Sequence, residues 1–511
     1  MSKLVFFFYV ILLLILPLGF SAAQDSANQE KDHNAPEFKP EFPKEVLSAT
    51  KHSVKVGGNV INYTATAGNL LLKEENGKPK ANIFFVSYVK DGVSDPSSRP
   101  ITYCFNGGPG SSSVWLHLGA FGPKRVQSKE DGQPLPPPYH LIDNEFSLLD
   151  LTDLVFIDPV TTGYSRAVPG ESPGQYHGVR EDVESVGEFI RLFTTRFHRW
   201  GSPKFLAGES YGTTRAAGLA GYMEQNDGMY FNGVILISSI LNFQTARFNQ
   251  GNDLPFILFL PTYSATAWYH KKLSGDLQTN LENTLKQVRE FAGNEYTLAL
   301  MKGDDLTDSE RSQVAQKLSQ FTGLSQKYIE ATNLRISIFR FVKELLRSEG
   351  LTVGRLDSRF TGYDYDSAGE TFEKDPSYSA IQGPYTALLN EYVRGELKYE
   401  SDLPYEILTG RVQPWSFGDS QNQYLNVAET LRQAITQNPS LQVFVGNGYY
   451  DLATPFYATE YTFRHIGLPA ALQKNIALHY YEAGHMMYIH SAYLAKLKQD
   501  LTGFYQATLP K

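Results

Sequence analysis

The residues best suited to chemistry in this chain form the pentapeptide 208–212, which reads Gly-Glu-Ser-Tyr-Gly. The pattern G-x-S-x-G is typical of a nucleophile elbow, a sharp turn between a strand and a helix that exposes a serine hydroxyl. The flanks fit, because residues 205–207 form a short apolar run and residues 213–223 are typical of a helix. Ser210 is therefore the predicted nucleophile. A pentapeptide also arises by chance, so this interpretation depends on partners elsewhere in the chain.

A serine hydroxyl needs a base that takes its proton, and that base is usually a histidine held by a carboxylate. In hydrolases with this elbow, the chain order is serine, then aspartate or glutamate, then histidine. Two later apolar runs, 441–445 and 476–480, predict strands, and the loops after them carry Asp451 and His485. We expect a crossover helix near residues 457–465, which would bring both loops to the sheet edge where the serine emerges.

Other titratable residues compete for these two roles. Glu482 is close to His485 in sequence, but it does not follow a strand on a loop of its own. His479 lies inside the predicted strand, and His490 lies beyond the loop. Position and chain order therefore favour His485 as the base and Asp451 as the residue that orients it.

Backbone N–H groups are needed to stabilise the charge that develops on the oxygen of an attacked carbonyl. One donor is expected from Tyr211, the residue after the nucleophile, and the other from a loop after an earlier strand. The loop 106–113, Asn-Gly-Gly-Pro-Gly-Ser-Ser-Ser, follows the apolar run 101–105, and its glycines let the backbone approach a substrate closely. Phosphate binding is the alternative, but the loop lacks the Gly-Lys-Ser/Thr ending of a P-loop.

No cofactor and no metal are predicted. The segment 446–448 lacks the third glycine of a dinucleotide fingerprint, and the sequence has no His-Glu-x-x-His motif or Cys/His cluster. The formal net charge of −8 and the pI near 5.8 give no reason to expect nucleic-acid binding.

The elements around these motifs predict one large α/β domain with an insertion. Strand-like runs between residues 53 and 105, separated by turn signals, predict antiparallel hairpins at the start of a sheet. Between residues 154 and 238 apolar runs alternate with helical periodicity, which predicts parallel pairing. The alternation lapses after about residue 250 and resumes near 440. We predict a core from residues 51–249 and 425–511, with a mainly helical cap at 250–424.

The N-terminus predicts export. Lys3 precedes the apolar stretch 4–20, and the small residues 21–23 offer a cleavage site, so residues 1–23 are predicted to be a signal peptide. An uncleaved membrane anchor is the alternative. Residues 24–50 are polar and predict a flexible tail. No later segment is apolar enough to span a membrane, so the mature protein is expected to be periplasmic or secreted.

Cys104 is the only cysteine of the chain, so no intramolecular disulfide is possible and core packing has to hold the fold. For an exported protein this is more typical of a bacterial periplasmic protein than of a eukaryotic secreted one.

Four motifs together resemble the serine carboxypeptidases: the loop 106–113, the pentapeptide 208–212, the Asp451 loop and the tripeptide 484–486, Gly-His-Met. The segments 154–160 and 163–165 also resemble that family, and the match extends over about residues 80–250 and 440–490. The resemblance implies an α/β-hydrolase fold: a mixed, mostly parallel sheet flanked by helices, with an inserted helical cap.

The resemblance also implies a role for each matching residue. These roles are Ser210 as nucleophile, His485 as base, Asp451 as its orienter, Gly108 and Tyr211 as oxyanion donors, and Asn106, Gly107 and Glu209 as the binding site for a substrate carboxylate.

The implied activity is release of C-terminal residues from peptides through an acyl-enzyme. A protonated Glu209 donates a hydrogen bond to a carboxylate, whereas an ionised one repels it, so the activity is expected to be favoured at acidic pH. An esterase or acyltransferase on the same scaffold is the alternative, and a non-catalytic binding protein is a third interpretation.

The sequence departs from the family pattern at two positions. Cys104 stands where many relatives carry tryptophan, and it is either a reactive thiol near the site or a buried, inert one. Ser111 replaces a cysteine that is usually disulfide-bonded. In the cap, Tyr263, Trp268 and Tyr269 either line a pocket or pack in a core.

Overall fold

The structure, a computed structural model, describes residues 42–420 and 422–509. The predicted signal peptide 1–23 and the tail up to residue 41 lie outside the described residues. Among the residues described, no helix combines the length and the apolar character that a membrane span requires.

The strands of the described chain are, in order, β1 (Leu47–Val56), β2 (Asn59–Lys73), β3 (Pro79–Lys90), β4 (Ile101–Phe105), β5 (Lys124–Val126), β6 (Leu141–Asp143), β7 (Asp153–Ile157), β8 (Arg166–Ala167), β9 (Lys204–Ser210), β10 (Gly233–Ser239), β11 (Thr352–Val353), β12 (Thr361–Gly362), β13 (Gln442–Gly448) and β14 (Ile476–Tyr481). The α-helices are α1 (Val114–Leu116), α2 (Val179–Arg196), α3 (Tyr211–Asp227), α4 (Leu254–Tyr269), α5 (Leu281–Phe291), α6 (Thr297–Lys302), α7 (Asp308–Thr322), α8 (Gln326–Ala331), α9 (Ile338–Glu344), α10 (Pro376–Gly395), α11 (Ala428–Gln437), α12 (Phe456–Arg464), α13 (Ala470–Gln473) and α14 (Ser491–Thr508).

One sheet organises the fold. Its strands run in the order β1-β2-β3-β7-β4-β9-β10-β13-β14, with β8 beside β3. The pairs from β1 to β7 are antiparallel, and every pair from β7 to β14 is parallel. The predicted mixed, mostly parallel sheet is confirmed, and so are the hairpins between the first three strands. The first strand begins at Leu47, so the predicted flexible tail 24–50 is wrong at its end, where it overlaps the start of this strand.

The predicted hairpin pairing does not extend to β4. This strand pairs with β7 and β9, and not with β3. Every residue of β4 is buried, which is typical of an inner parallel strand that helices cover on both faces. The turn signal at residues 91–92 lies between β3 and β4. It is therefore followed by a connection to a strand that is not adjacent in the sheet, and not by a hairpin.

Each face of the sheet has its own hydrophobic core. On one face α2, α3 and α11 pack against side chains such as Tyr103, and on the other α14 packs against side chains such as Cys104. Alternation of side chains along β4 sends these neighbours to opposite cores. The helical spacing of apolar residues predicts a helix here, and α2 confirms it. Val186, Phe189 and Phe193 are all buried on its inner face.

The cap has a third core, formed mainly by α4–α9. Thr307 and Glu310 form a capping box at the start of α7. The sequence predicts one helix after Ser325, but α8 ends at Ala331 and α9 begins at Ile338, with residues 333–334 between them in the left-handed region.

The aromatic residues predicted to line a pocket or a core in the cap, Tyr263, Trp268 and Tyr269, pack against neighbouring side chains. Tyr263 is buried and stacks on Phe341 at 4.1 Å between ring centroids, and Trp268 packs against the same core. Tyr269 is exposed and contacts the ring of Tyr450. None of the three predicted aromatics lines the pocket described below.

Candidate active site

Ser210 occupies the turn between β9 and α3. Its φ of 60° and ψ of −129° form a strained conformation that non-glycine residues rarely adopt. A Cβ atom on Gly208 would overlap the carbonyl of Gly212, so the turn accepts no side chain at that position. The chain therefore forms a sharp elbow at the carboxyl end of β9, which is the geometry that the G-x-S-x-G pattern predicts.

Asp451 and His485 lie on the loops that follow β13 and β14. Asp451 Oδ2 and His485 Nδ1 are 2.7 Å apart, and both side chains are buried. The other carboxylate oxygen, Oδ1, accepts hydrogen bonds from the backbone N–H groups of Ala453 (2.8 Å) and Thr454 (3.0 Å). The competing Glu482 is exposed at the surface. The structure thus brings together the aspartate and histidine that the sequence favours.

A pocket of about 390 Å³ opens at this edge of the sheet. Among its lining residues are six of the eight predicted site residues: Asn106, Gly107, Gly108, Glu209, Ser210 and His485. Asp451 lies behind His485 and outside the pocket. Among the described residues, no cluster of three or more His, Cys, Asp or Glu side chains is placed to hold a metal.

The glycine-rich loop and the start of α3 are in close contact. A Cβ atom on Gly107 would overlap the backbone nitrogen of Tyr211, so only glycine fits at this point. Gly108 follows with φ of 105°, which also favours glycine. Tyr211 is the first residue of α3, so its N–H has no acceptor within the helix. The glycine-rich loop and the first turn of α3 therefore meet beside Ser210, and both can supply N–H donors.

A buried ion pair that was not identified from the sequence supports the glycine-rich loop and the start of α3. Arg215 donates to Asp182 through Nε (2.8 Å) and Nη2 (3.1 Å), and through Nη1 to the carbonyl oxygen of Asn106 (2.6 Å). Its guanidinium lies over the rings of Phe105 and Tyr211, at 5.3 Å and 5.5 Å from their centroids. The sequence signal for this pair is a charged residue on the buried face of each of two helices, Asp182 in α2 and Arg215 in α3.

Glu209 is buried beside Ser210. Burial raises the pKa of its carboxyl to about 7, although the charge of His485 and a hydrogen bond from Tyr488 act in the opposite direction. The Tyr488 hydroxyl donates to Glu209 Oε2 at 2.5 Å. Glu209 therefore changes its charge near neutral pH. Tyr488 was not identified from the sequence, because no motif includes it.

Asn106 is held in place by its oxygen and leaves its nitrogen available. Oδ1 accepts a hydrogen bond from the backbone N–H of Leu116 at 3.1 Å. The buried Nδ2 lowers the pKa of Glu209 by its proximity, but it makes no hydrogen bond of good geometry with any described residue. Because buried donors are normally paired, this nitrogen is suited to bind a ligand.

Opposing effects act on His485. Burial disfavours the charged imidazolium, but the charge and hydrogen bond of Asp451, together with the charge of Glu209, raise the pKa of His485 above its ordinary value. The ring therefore takes up a proton readily, as a general base must.

Part of the cap holds the loops that carry this pair. The backbone N–H of His485 donates to the carbonyl of Leu356 at 2.7 Å, and that of Leu452 donates to the carbonyl of Arg355 at 3.0 Å. A Cβ atom on Gly484 would overlap Asp357. The segment 355–358 is therefore a structural part of the site, although the sequence assigned it to an insertion that covers the sheet.

The two departures from the family pattern have local explanations. Cys104 is fully buried, and burial raises the pKa of its thiol well above the ordinary range, which favours the inert interpretation. Ser111 Oγ accepts a hydrogen bond from Trp115 Nε1 (2.8 Å) and is 3.2 Å from the carbonyl oxygen of Ile407 in the cap. A hydrogen bond thus links the glycine-rich loop to the cap at the position where the family that the sequence resembles usually carries a disulfide-bonded cysteine.

The chain is similar in sequence to known carboxypeptidases. The chain is 28% identical over 189 residues to carboxypeptidase Y homolog A of Talaromyces stipitatus, which covers 37% of the chain and 30% of the relative. It is 29% identical over 181 residues to the pheromone-processing carboxypeptidase KEX1 of Yarrowia lipolytica, which covers 35% of the chain and 27% of the relative. These alignments span less than a third of each relative's length.

The fold is similar to a crystal structure of Kex1(delta)p, a prohormone-processing carboxypeptidase from Saccharomyces cerevisiae. The TM-score is 0.54 at 16% identity, with 87% of this chain and 91% of that chain covered. This likeness supports the α/β-hydrolase fold alone. The sequence profile described as serine carboxypeptidase matches residues 59–501, which include every residue of the site. The chain therefore belongs to the serine carboxypeptidase family.

Proposed function

We propose that this protein is a serine-type carboxypeptidase that releases C-terminal residues from peptides. The observation that carries the proposal is the 2.7 Å contact between His485 and Asp451, in a site whose pocket also contains Ser210 on its strained elbow. Nucleophile, base and orienting carboxylate are the three parts that acyl transfer through a serine requires.

The proposed reaction has two halves. Ser210 Oγ attacks the scissile carbonyl carbon while His485 takes the hydroxyl proton, and His485 then protonates the leaving amine. Asp451 holds the imidazole in the orientation and tautomer that this transfer needs. The N–H groups of Gly108 and Tyr211 stabilise the negative charge on the carbonyl oxygen. Water, activated by His485, then attacks the acyl-enzyme and releases the shortened peptide.

Recognition of the substrate's terminal carboxylate is assigned to Asn106, Gly107 and Glu209. The unpartnered Nδ2 of Asn106 is a donor, and Glu209 is a second donor while it is protonated. Two donors beside the nucleophile favour a carboxylate-bearing substrate over the ester of a neutral alcohol. An esterase or acyltransferase on the same scaffold is the second candidate.

Two measurements test the proposal. A fluorophosphonate probe should label the wild type and fail to label Ser210→Ala; absence of labelling in the wild type would favour a non-catalytic protein. A peptide with a free C-terminus should be shortened by one residue, whereas its C-terminally amidated form should remain intact. Equal cleavage of simple esters and failure to cleave the free peptide would favour the esterase.

We infer export as well. The support is the basic start, the apolar stretch 4–20 and the small residues 21–23. N-terminal sequencing of protein recovered from the periplasm or the medium should begin near Gln24, and protein recovered with an intact Met1 in the membrane fraction would favour the uncleaved anchor.

A further inference from the structure

Arg355 lines the active-site pocket and has no partner for its charge. It is partly buried, and its guanidinium makes no hydrogen bond or ion pair with any residue that the structure describes. Neighbouring cations are paired: Arg359 bonds Asp357 at 2.6 Å, and Arg215 bonds Asp182. A charge withdrawn in part from water without a partner is costly, so an anionic ligand that pairs with it would be favoured.

The two carboxyl groups of the pocket, those of Asp375 and Glu209, form no ion pair with this guanidinium. Asp375 Oδ1 accepts hydrogen bonds from the backbone N–H groups of Arg355 (3.1 Å) and Ser377 (3.0 Å) and from the Ser377 hydroxyl. Asp375 also caps the N-terminus of α10, where the helix dipole favours a negative charge. Glu209 is neutral below a pH of about 7. The guanidinium of Arg355 therefore remains available to an anionic ligand.

The backbone of Arg355 is held firmly and close to the reacting groups. Its N–H is bound by Asp375, and its carbonyl accepts a hydrogen bond from Leu452, next to the proposed orienting carboxylate. Its charge reaches His485 and acts to lower the pKa of that histidine. Apolar side chains of Leu356 and Phe372 share the pocket, and their low polarity strengthens an ion pair formed there.

We propose that Arg355 binds a side-chain carboxylate of the substrate, so that the enzyme prefers peptides with aspartate or glutamate at one of the two residues flanking the scissile bond. This inference rests on the proposed function. Asn106 and Glu209 are assigned to the terminal carboxylate, and a second anion in the same pocket has to come from a side chain. Arg355 would then determine specificity without taking part in the chemical steps.

The test compares blocked dipeptides that carry glutamate or the isosteric glutamine, first on the acyl side and then on the leaving side of the scissile bond. A pH of about 6.5 keeps the substrate carboxylate ionised, most of Glu209 protonated and part of His485 neutral. We expect the wild type to have a kcat/KM about tenfold higher for glutamate at one position. Arg355→Gln should abolish this preference, so that the ratio of kcat/KM for the glutamate peptide to that for the glutamine peptide falls about tenfold, whatever the variant does to both values. Arg394→Gln, which removes an exposed arginine of the cap, should retain it.

Equal kcat/KM for glutamate and glutamine peptides in the wild type would overturn the proposal, and so would an unchanged preference in Arg355→Gln. Binding of the same peptides to Ser210→Ala gives a readout that needs no turnover. If the wild type cleaves no peptide but Ser210→Ala still binds the glutamate peptide more tightly, the proposed function fails and the role of Arg355 stands. If Ser210→Ala binds both peptides equally, the role of Arg355 fails.

Discussion

The carbonyl oxygen of Leu356, in the cap, accepts a hydrogen bond from the backbone N–H of His485, in the core, at 2.7 Å. A second bond of the same kind joins Leu452 to Arg355. The cap thus positions the loops of both the proposed base and its carboxylate. The sequence predicts that this insertion covers the sheet. In the folded protein its backbone also holds the loops of the site in position.

Gly484→Ala should impair catalysis more than folding. The added Cβ would overlap Asp357 and would lie 2.6 Å from the carbonyl oxygen of Leu356, so the His485 loop has to shift. A shift of about 1 Å lowers kcat by about a hundredfold. Steady-state kinetics and thermal unfolding measure the two effects. Gly503→Ala in α14 is the control, because its Cβ would meet no atom within 4 Å. Wild-type kcat in Gly484→Ala would contradict the argument.

Asp451→Asn should lower kcat by about 10⁴ with little change in KM. The amide cannot hold the imidazole of His485 in the required tautomer or stabilise its charged form. Kinetics on a blocked dipeptide check this expectation. Glu482→Gln, which changes the competing carboxylate, is expected to leave kcat unchanged because that side chain is exposed. A larger loss in Glu482→Gln than in Asp451→Asn would reverse the assignment.

The pH dependence of kcat/KM should be bell-shaped. Glu209, with its pKa raised to about 7, is protonated and able to bind a carboxylate below that pH and ionised above it, so KM should rise with pH through about 7. His485 defines the acid limb, because only the neutral ring accepts a proton.

Glu209→Gln separates the two groups. The variant should lose the rise in KM, because glutamine keeps a donor at every pH. Its acid limb should move to lower pH, since the Glu209 charge that helps to raise the pKa of His485 is gone. Michaelis constants of both proteins on one blocked dipeptide, from about pH 4 to about pH 9, provide the comparison. A flat profile in the wild type, or the same profile in both proteins, argues against this role for Glu209.

Arg215→Met should destabilise the fold by about 3–5 kcal/mol, because it leaves Asp182 buried without its partner. Replacing both residues, with Asp182→Leu added, should recover most of this loss, as unfolding in denaturant can show. It should not recover kcat, because the carbonyl of Asn106 still lacks its donor and the loop that carries Gly108, a proposed oxyanion donor, is released. Recovery of stability and kcat together would limit the pair to a structural role.

Cys104 should be inert in the native protein. The thiol is buried and its pKa is raised well above the ordinary range, so little thiolate is present to react. A thiol reagent such as a small mercurial should leave activity unchanged and react with one thiol only after unfolding. Stoichiometric labelling of Cys104 with loss of activity under native conditions would reinstate the reactive interpretation.

Motifs and periodicity predict the elements that carry the site. The strand before Ser210 and the helix after it follow from a local pattern, and so do the strands that precede Asp451 and His485. The wrong predictions concern pairing and continuity: β4 joins β7 and β9, and the helix expected after Ser325 is divided in two. Pairing depends on which surfaces a strand buries on both faces, and a short run of residues contains no information about its neighbours.

The sequence by itself determined the residue types, the chain order and the elbow, because turn geometry and apolar periodicity are local properties. Only the tertiary structure decided which distant groups meet: Tyr488 with Glu209, Arg215 with Asn106, and the unpaired Arg355 with the pocket. Burial sets the pKa of Glu209, and burial is a property of the packed chain. Long-range contacts therefore decide the electrostatics of the site, while local patterns decide which residues are available to it.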